Sequence, residues 1–460
     1  SATFSSGAPS ASYQDKIMSP DFLYHQANDG DDNGSYQGDI VELLDRFGCS
    51  SWKKMPYSDT DSTSWPSENA YREAASYRGD SSAGWILDLT SAGTIESVKT
   101  LISSNIPVSF SIDANNYSNM SGADLLDEDS YVDAQANHAQ TIVGYDDNYS
   151  YTVGAGTRNG AFKVANSWGT GTWENVADGY YWITYEAVKT LEYSYYAFYT
   201  NDKLNYQPNY LAVINITHSS RGDIIRKFFR DDNVSDILDF DYLYYRGGNN
   251  AYPSNNLVLD LSDLVGTDPR DTYTFRVRDL GASDYYPYSP YGQGSATTGT
   301  VNRFKIEDYT SSNADYANGY PTATFYSSDT PANTVNSTNV DVEVYTNYEP
   351  ELKWSGMSGM TTDGVDPDSQ IEGSTYTFRI IYEDDNDDAP TVYQLWIDEN
   401  DNSIYDASEK YNMWKGVGTD YRGGILYAYD KTIAYAGDGE IKYRFNFSDG
   451  KDEATGEGTA

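Results

Sequence analysis

The feature that most constrains this chain is a pair of apolar runs separated by a short polar gap. The first reads Asn137-His138-Ala139-Gln140-Thr141-Ile142-Val143-Gly144-Tyr145-Asp146-Asp147, and the second Gly160-Ala161-Phe162-Lys163-Val164-Ala165-Asn166-Ser167-Trp168-Gly169-Thr170-Gly171. Short apolar runs bounded by Gly, Asn and Asp predict strands closed by turns. Each run begins or ends on a side chain that takes part in nucleophilic catalysis: His138 heads the first, and Asn166 closes the second with Trp168 beside it. Together they make a site, or the remains of one.

These residues resemble the His and Asn motifs of the papain-like cysteine peptidases. In that family the imidazole activates a Cys thiol, the Asn amide holds the ring, and the neighbouring Trp shields their hydrogen bond. The resemblance implies His138 as base, Asn166 as orienter and Trp168 as shield, and Gly179-Tyr180-Tyr181-Trp182-Ile183 fits the strand that follows. A lone histidine in a strand reads as a core residue, but two linked motifs in order favour this ancestry, though not activity. Met18-Ser19-Pro20-Asp21-Phe22-Leu23-Tyr24-His25-Gln26 and Trp52-Lys53-Lys54-Met55-Pro56-Tyr57 resemble segments that follow the catalytic helix in secreted microbial relatives. Residues 1–201 are therefore expected to form an α+β papain-like domain.

Aligning Tyr13-Gln14-Asp15-Lys16 with the end of the family's central helix puts Ser1 at the Cys position. The family's oxyanion Gln and Gly-rich turn, which stabilise the intermediate and lower the thiol pKa, would precede it. A Ser hydroxyl is a poorer nucleophile than a thiolate, and Pro9 would kink or break the helix. The expectation is a pseudo-peptidase in which Ser1, His138 and Asn166 are an inactive remnant triad. Cys49 is the only thiol; it lies between a helical stretch, Ile40-Val41-Glu42-Leu43-Leu44, and Met55-Pro56-Tyr57, and reads as a buried, inert side chain.

A chain of 460 residues predicts about three domains. With 70 acidic against 30 basic residues and a net charge of -40, the surface repels nucleic acid and anionic lipid and attracts cations. Nucleic-acid binding is excluded on that ground, and one Cys excludes an internal disulfide framework. No apolar run approaches the length of a membrane span. Ser1-Ala2-Thr3-Phe4 suits the stretch just after a signal-peptide cleavage site. Asn-x-Ser/Thr sequons at Asn33, Asn116, Asn119, Asn148, Asn215, Asn233, Asn336 and Asn446 are candidate glycan sites. Their spread favours an extracellular, cell-surface or envelope location.

Residues 202–346 change to alternating strands and turns. Leu211-Ala212-Val213-Ile214-Asn215-Ile216-Thr217-His218 leads into Ser219-Ser220-Arg221-Gly222-Asp223, followed by runs at 256–261, 273–279 and 298–306. This order is similar to the P domain of proprotein convertases, a jelly-roll β-sandwich, which implies a non-catalytic accessory. Arg221-Gly222-Asp223 is read as a turn rather than an adhesion tripeptide. Residues 309–332 are expected to be a long polar excursion before the strand Val340-Asp341-Val342-Glu343-Val344. Residues 347–460 resemble immunoglobulin-like modules of microbial surface proteins through Gly373-Ser374-Thr375-Tyr376-Thr377-Phe378-Arg379-Ile380 and Ser448-Asp449-Gly450. The alternation of Ile441, Tyr443, Phe445 and Phe447 with polar residues is that of a half-buried strand. The expected fold class is thus multidomain, an α+β papain-like domain followed by two all-β sandwiches.

Within the third segment Asp398, Asn400, Asn402, the carbonyl of Ile404, Asp406 and Glu409 occupy positions 1, 3, 5, 7, 9 and 12 of an EF-hand-type loop, which predicts calcium. Ser403 stands where Gly usually eases the turn. Glu383-Asp384-Asp385-Asn386-Asp387-Asp388 is read as a solvated acidic loop. The 45 Tyr, with clusters at 242–245 and 285–291, exceed what a core would bury and point to interfaces. The resulting expectation is a secreted, non-catalytic cell-surface protein that polymerises with itself into an envelope layer, sheath or filament with calcium. The alternatives are a papain-like peptidase whose nucleophile lies upstream of Ser1, and an adhesin that takes glycans.

Overall fold

The computed structural model describes residues 9–80, 86–120, 124–170, 176–230, 233–239, 247–265, 272–284, 297–368, 373–434 and 440–459. Ser1 and the tyrosine clusters at 242–245 and 285–291 lie outside the described residues. The chain divides into two compact units, Ser1–Thr267 with Tyr273–Val344, and Asp268–Thr272 with Tyr345–Ala460.

The first unit opens with turns over residues 11–16 after Pro9, followed by three helices. Helix α1, Pro20–Ala27, starts on Pro20, whose fixed φ suits the first turn, and its Ser19 cap accepts from Phe22 N at 3.1 Å. Helix α2, Gln37–Phe47, buries Val41, Leu43 and Phe47 and stops at Gly48 with φ +78°. A Cβ at Gly48 would stand 1.8 Å from the Ala74 carbonyl oxygen, so only glycine fits there. Helix α3, Glu68–Ala74, is capped by Ser67.

Beside these helices lies a seven-stranded sheet in the order Ile86–Asp88, Tyr196–Phe198, Val108–Ile112, His138–Val153, Gly156–Ala165, Tyr180–Thr184, Leu125–Leu126. All neighbours are antiparallel except the last pair. Both runs that open the sequence reading are therefore adjacent strands of one sheet. Val108, Phe110, Ile112, Ile142, Phe162, Val164, Tyr181 and Ile183 form its core, with Ile95 and Val98 of helix α4, Thr94–Ser103, packed on it.

The rest of the first unit is all β. A five-stranded sheet joins Leu257–Asp260, Tyr210–Thr217, Thr300–Asp308 and Ala323–Tyr326, with Ala332–Asn333 also on Thr300–Asp308. A four-stranded sheet joins Asn233–Asp239, Ile224–Arg230, Thr272–Asp279 and Asn339–Tyr345. Phe304 of the first sheet meets Phe228 and Phe275 of the second at 5.8 and 5.6 Å between ring centres, so aromatic faces join the layers. The expected polar excursion at 309–332 is more ordered than its composition suggests. Ala323–Tyr326 turns back and pairs with Lys305 to Asp308, because Phe325 finds a buried place in the register. Arg221 and Asp223 are each 6% exposed in a short 3-10 turn, which removes them from any adhesive role.

The second unit holds a six-stranded sheet built on Thr375–Glu383 and Ile425–Thr432 and a three-stranded sheet, Lys410–Asn412, Val392–Asp398 and Lys442–Ser448. Tyr382 and Phe447, one from each sheet, stack at 5.8 Å. The architecture is thus an α+β portion followed by several distinct all-β sheets. No helix among the described residues is long and apolar enough to cross a membrane.

Within the first unit, buried charges tie the helical portion to the β layers. Arg72 of α3 donates to Glu307 at 2.7 and 3.2 Å and to the Tyr309 hydroxyl at 2.9 Å, with its side chain 5% and that of Glu307 2% exposed. Burial alone would raise the Glu307 carboxyl, but bonds from Arg72, Lys305 and Tyr309 hold it below its ordinary range. Arg78 donates to Asp260 at 2.8 Å and Asp263 at 2.6 Å, and Arg221 lies over Trp65 at 4.4 Å while donating to the Thr63 carbonyl. Without Arg72, Glu307 keeps Lys305 at 2.6 Å and the Tyr309 hydroxyl but loses both guanidinium bonds. Arg72→Ala should therefore cost about 1–3 kcal/mol in denaturant unfolding. Arg72→Met with Glu307→Leu should recover most of that loss; equal losses in the single and double variants would contradict this account.

Candidate active site

The first two residues of the site come together through strand pairing. His138 heads its strand opposite Ile112, and Asn166 follows directly on Ala165, which pairs with Thr141. Asn166 N donates to the Gly179 carbonyl at 3.1 Å, which fixes the backbone where the chain leaves the sheet. From these positions His138 Nε2 lies 2.8 Å from Asn166 Oδ1. A carboxamide oxygen only accepts, so Nε2 carries the proton and Nδ1 is the basic nitrogen of the neutral ring. Asn166 Nδ2 is buried and has no hydrogen-bond partner among the described residues.

Trp168 lies against the imidazole, with ring centres 4.9 Å apart and planes at 38°. Trp168 is itself 47% exposed, so it covers the imidazole on the side it stacks against. The structure therefore brings His138, Asn166 and Trp168 together as the motif spacing implies.

Below them lie residues that the sequence reading missed. The Tyr117 ring is perpendicular to both Trp168, at 5.1 Å and 88°, and His138, at 6.3 Å and 88°. Gln140 Nε2 donates to the Tyr117 hydroxyl, and the Tyr181 hydroxyl donates to Gln140 Oε1 at 2.5 Å. All three are buried, and burial pushes both phenols well above their ordinary pKa, so they stay neutral donors and acceptors. One signal for Gln140 was present. It is two residues from His138 in a strand, and alternation puts both on one face. Tyr117 gave no signal in a stretch rich in Asn, Ser and Tyr.

Cys49 is 1% exposed and donates to the Ser19 carbonyl at 3.3 Å. Burial pushes its pKa up to about 12, so the thiolate is suppressed at neutral pH. It is a packing residue.

The loop 398–409 gathers the expected calcium positions on one turn, but their oxygens face the backbone. Asp398 accepts from Asn402 N and Ser403 N at 3.1 and 2.8 Å, Asn400 Oδ1 from Asn402 N at 3.1 Å, and Asn402 Oδ1 from Ile404 N at 2.7 Å. Glu409 accepts from Glu399 N and Asp406 N at 2.8 and 2.9 Å. Ser403 has φ +63°, the conformation its expected Gly would have eased. Among the described residues no group of three or more His, Cys, Asp or Glu side chains is arranged to hold a metal. The acidic run at 383–388 is not simply solvated. Asp384 is 1% exposed, where burial raises its carboxyl against the pull of the Asp388 and Asn386 backbone and the Tyr382 hydroxyl.

Of the sequons, Asn33, Asn119 and Asn148 are exposed, and Asn336 and Asn446 are half-buried. Asn116 is 5% exposed and spends its Nδ2 on the Asp113 and Val132 carbonyls, and Asn215 donates to the Ser254 carbonyl. Asn233 begins a strand.

Residues 21–200 match the papain family cysteine protease profile, so this portion has a papain-like fold and further all-β sheets follow it. Among solved structures, the digestive procathepsin L2 proteinase from the Tenebrio molitor larval midgut is 18% identical. That match covers 40% of this chain and 53% of that one, with a TM-score of 0.30. The chain thus spans about half of that relative. The cysteine protease and lectin-like domains of Cwp84, a surface layer associated protein of Clostridium difficile, are 16% identical, with 72% and 79% covered and a TM-score of 0.31. No curated protein sequence matches the chain.

The burial of Cys49 generates a direct check. In native buffer a thiol-specific chromogenic disulfide should release no signal from this chain, whereas denaturant should expose one thiol per chain. Rapid labelling of the folded chain, lost in Cys49→Ser, would contradict the assignment.

Proposed function

We propose that the first unit carries the site of a papain-type cysteine peptidase, with His138 as general base and Asn166 as its orienter. Because Cys49 is sequestered, the nucleophilic thiol belongs to a segment outside residues 1–460. The 2.8 Å bond between His138 Nε2 and Asn166 Oδ1 carries this reading. A base that must keep one tautomer needs such a fixed acceptor on its far nitrogen.

The chemistry follows from the tautomer. His138 Nδ1 takes the thiol proton, and the thiolate attacks the scissile carbonyl carbon. The imidazolium then returns a proton to the leaving amine, which departs as an acyl-enzyme thioester forms. His138 next takes a proton from water, whose oxygen attacks the thioester carbonyl carbon; the C–S bond breaks, the carboxyl product leaves, and the imidazolium returns the proton to the sulfur. Asn166 holds the ring through both halves, and Trp168 keeps water from their bond.

The test is hydrolysis of a fluorogenic peptide by the protein carrying its natural N-terminal sequence. Activity should be blocked by iodoacetamide and abolished by His138→Ala, and Asn166→Ala should lower kcat by about 10²-fold. A native protein that cleaves nothing and ignores iodoacetamide would overturn the reading. It would favour the non-catalytic surface protein expected from composition, for which sedimentation and electron microscopy would read out self-assembly.

For the second unit, the 1, 3, 5, 7, 9, 12 spacing at Asp398, Asn400, Asn402, Ile404, Asp406 and Glu409 supports calcium, with these oxygens exchanging backbone N–H groups for the cation. A ligand bound only by the folded state stabilises it by mass action. Excess chelator should lower the Tm of this unit, and Glu409→Gln should remove the difference; coincident melting curves with and without calcium would reject the site. The P-domain-like and immunoglobulin-like identities of the β portions rest on the sequence runs that suggested them.

A further inference from the structure

We propose that Tyr117 is a positioning residue for the base: its ring sets the imidazole and Trp168 in place, and Gln140 and Tyr181 set the ring. This inference rests on the peptidase reading for its kinetic consequences, while its structural content stands without it.

Three observations converge on Tyr117. Its ring stands at right angles to both members of the His138–Trp168 pair, the edge-to-face arrangement that aromatic rings favour. A right-angled wedge touching two rings limits the tilt of each. The wedge itself is held by polar contacts, through Gln140 Nε2 to its hydroxyl and the Tyr181 hydroxyl to Gln140 Oε1, with Tyr181 edge-on at 5.5 Å. These bonds are buried, where a satisfied network is strong and a broken one costly.

The backbone beneath the wedge is fixed as well. Tyr117 sits in the 3-10 turn Ala114–Asn119, capped by Asp113. Asn137, next to His138, donates from Nδ2 to Asp113 at 2.9 Å and accepts from Ala114 N at 2.9 Å. Asn116 links the same turn to the Val132 backbone in both directions. The turn carrying Tyr117 and the strand carrying His138 thus share a side-chain clamp at Asn137. A change in the wedge is transmitted to the imidazole rather than absorbed by a loose loop.

The consequence is divided between hydroxyl and ring. Tyr117→Phe keeps the wedge but strands Gln140, whereas Tyr117→Leu removes the right-angled contacts and lets His138 and Trp168 tilt. Displacing a reacting group by about 1 Å costs on the order of 10²-fold in rate. Tyr117→Leu should therefore lower kcat by about 10- to 100-fold with KM within about twofold, and Tyr117→Phe should restore most of it.

The deciding measurement uses nuclear magnetic resonance of the full chain and needs no turnover. The His138 Nε2–H, bonded to Asn166 and covered by Trp168, should give a low-field imidazole signal in slow exchange with water, identified by its loss in His138→Ala. Tyr117→Leu should abolish or broaden that signal, and Tyr117→Phe, which keeps the ring but loses the Gln140 bond, should only weaken it. Gln140→Met, which fills the space without the polar contacts, should weaken it even if the Tyr117→Leu chain does not fold. If the signal and kcat are unchanged in Tyr117→Leu and Gln140→Met, Tyr117 is packing only and the proposal fails. If no cleavage occurs but the signal behaves as described, the peptidase reading fails and the positioning role stands.

Discussion

Register between two neighbouring strands decides whether His138 meets Asn166. Ile142 pairs with Val164 and Thr141 with Ala165, and both Ile142 and Val164 are fully buried. A slip by one residue would turn these apolar side chains to the opposite face, so the core enforces the pairing. On the other side His138, Gln140 and Ile142 stand across from Ile112, Phe110 and Val108. The period-two alternation that buries Ile142 also sends Gln140 inward and aims His138 along the same face. Core packing and site geometry are consequences of one register.

The sequence was legible where local pattern and global placement agree. Helix α2, the strands from 210 to 217 and 442 to 448, and the meeting of His138 with Asn166 all follow from short patterns that tertiary packing had only to accept. Legibility failed where placement depended on distant partners. Ala323–Tyr326 looked like loop because its partner at 305–308 offers a register that composition cannot show. Asp384 looked solvated because its run is acidic, yet backbone donors and the Tyr382 hydroxyl satisfy it inside. Tyr117 was invisible because an aromatic wedge is defined by what it touches.

Charge has two different roles in the first unit. Over the whole chain, a balance of -40 keeps the surface repulsive and solvated. Inside, the few cations are concentrated at the joint between the helical portion and the β layers, where Arg72 and Arg78 each face carboxylates and Arg221 faces an indole. Guanidinium groups suit this task, since their planar fork bonds several acceptors at once and stacks on aromatics.

That joint limits which modules evolution or an engineer can recombine. A papain-like portion cut free of its sandwich would present Trp65 and two guanidinium groups shaped for partners it no longer has. A foreign sandwich spliced in its place would need acids where Asp260, Asp263 and Glu307 now stand, on two separate stretches of chain. A substitution on one side of the seam therefore leaves a charge or an indole on the other without its partner, so a working exchange must change both sides together.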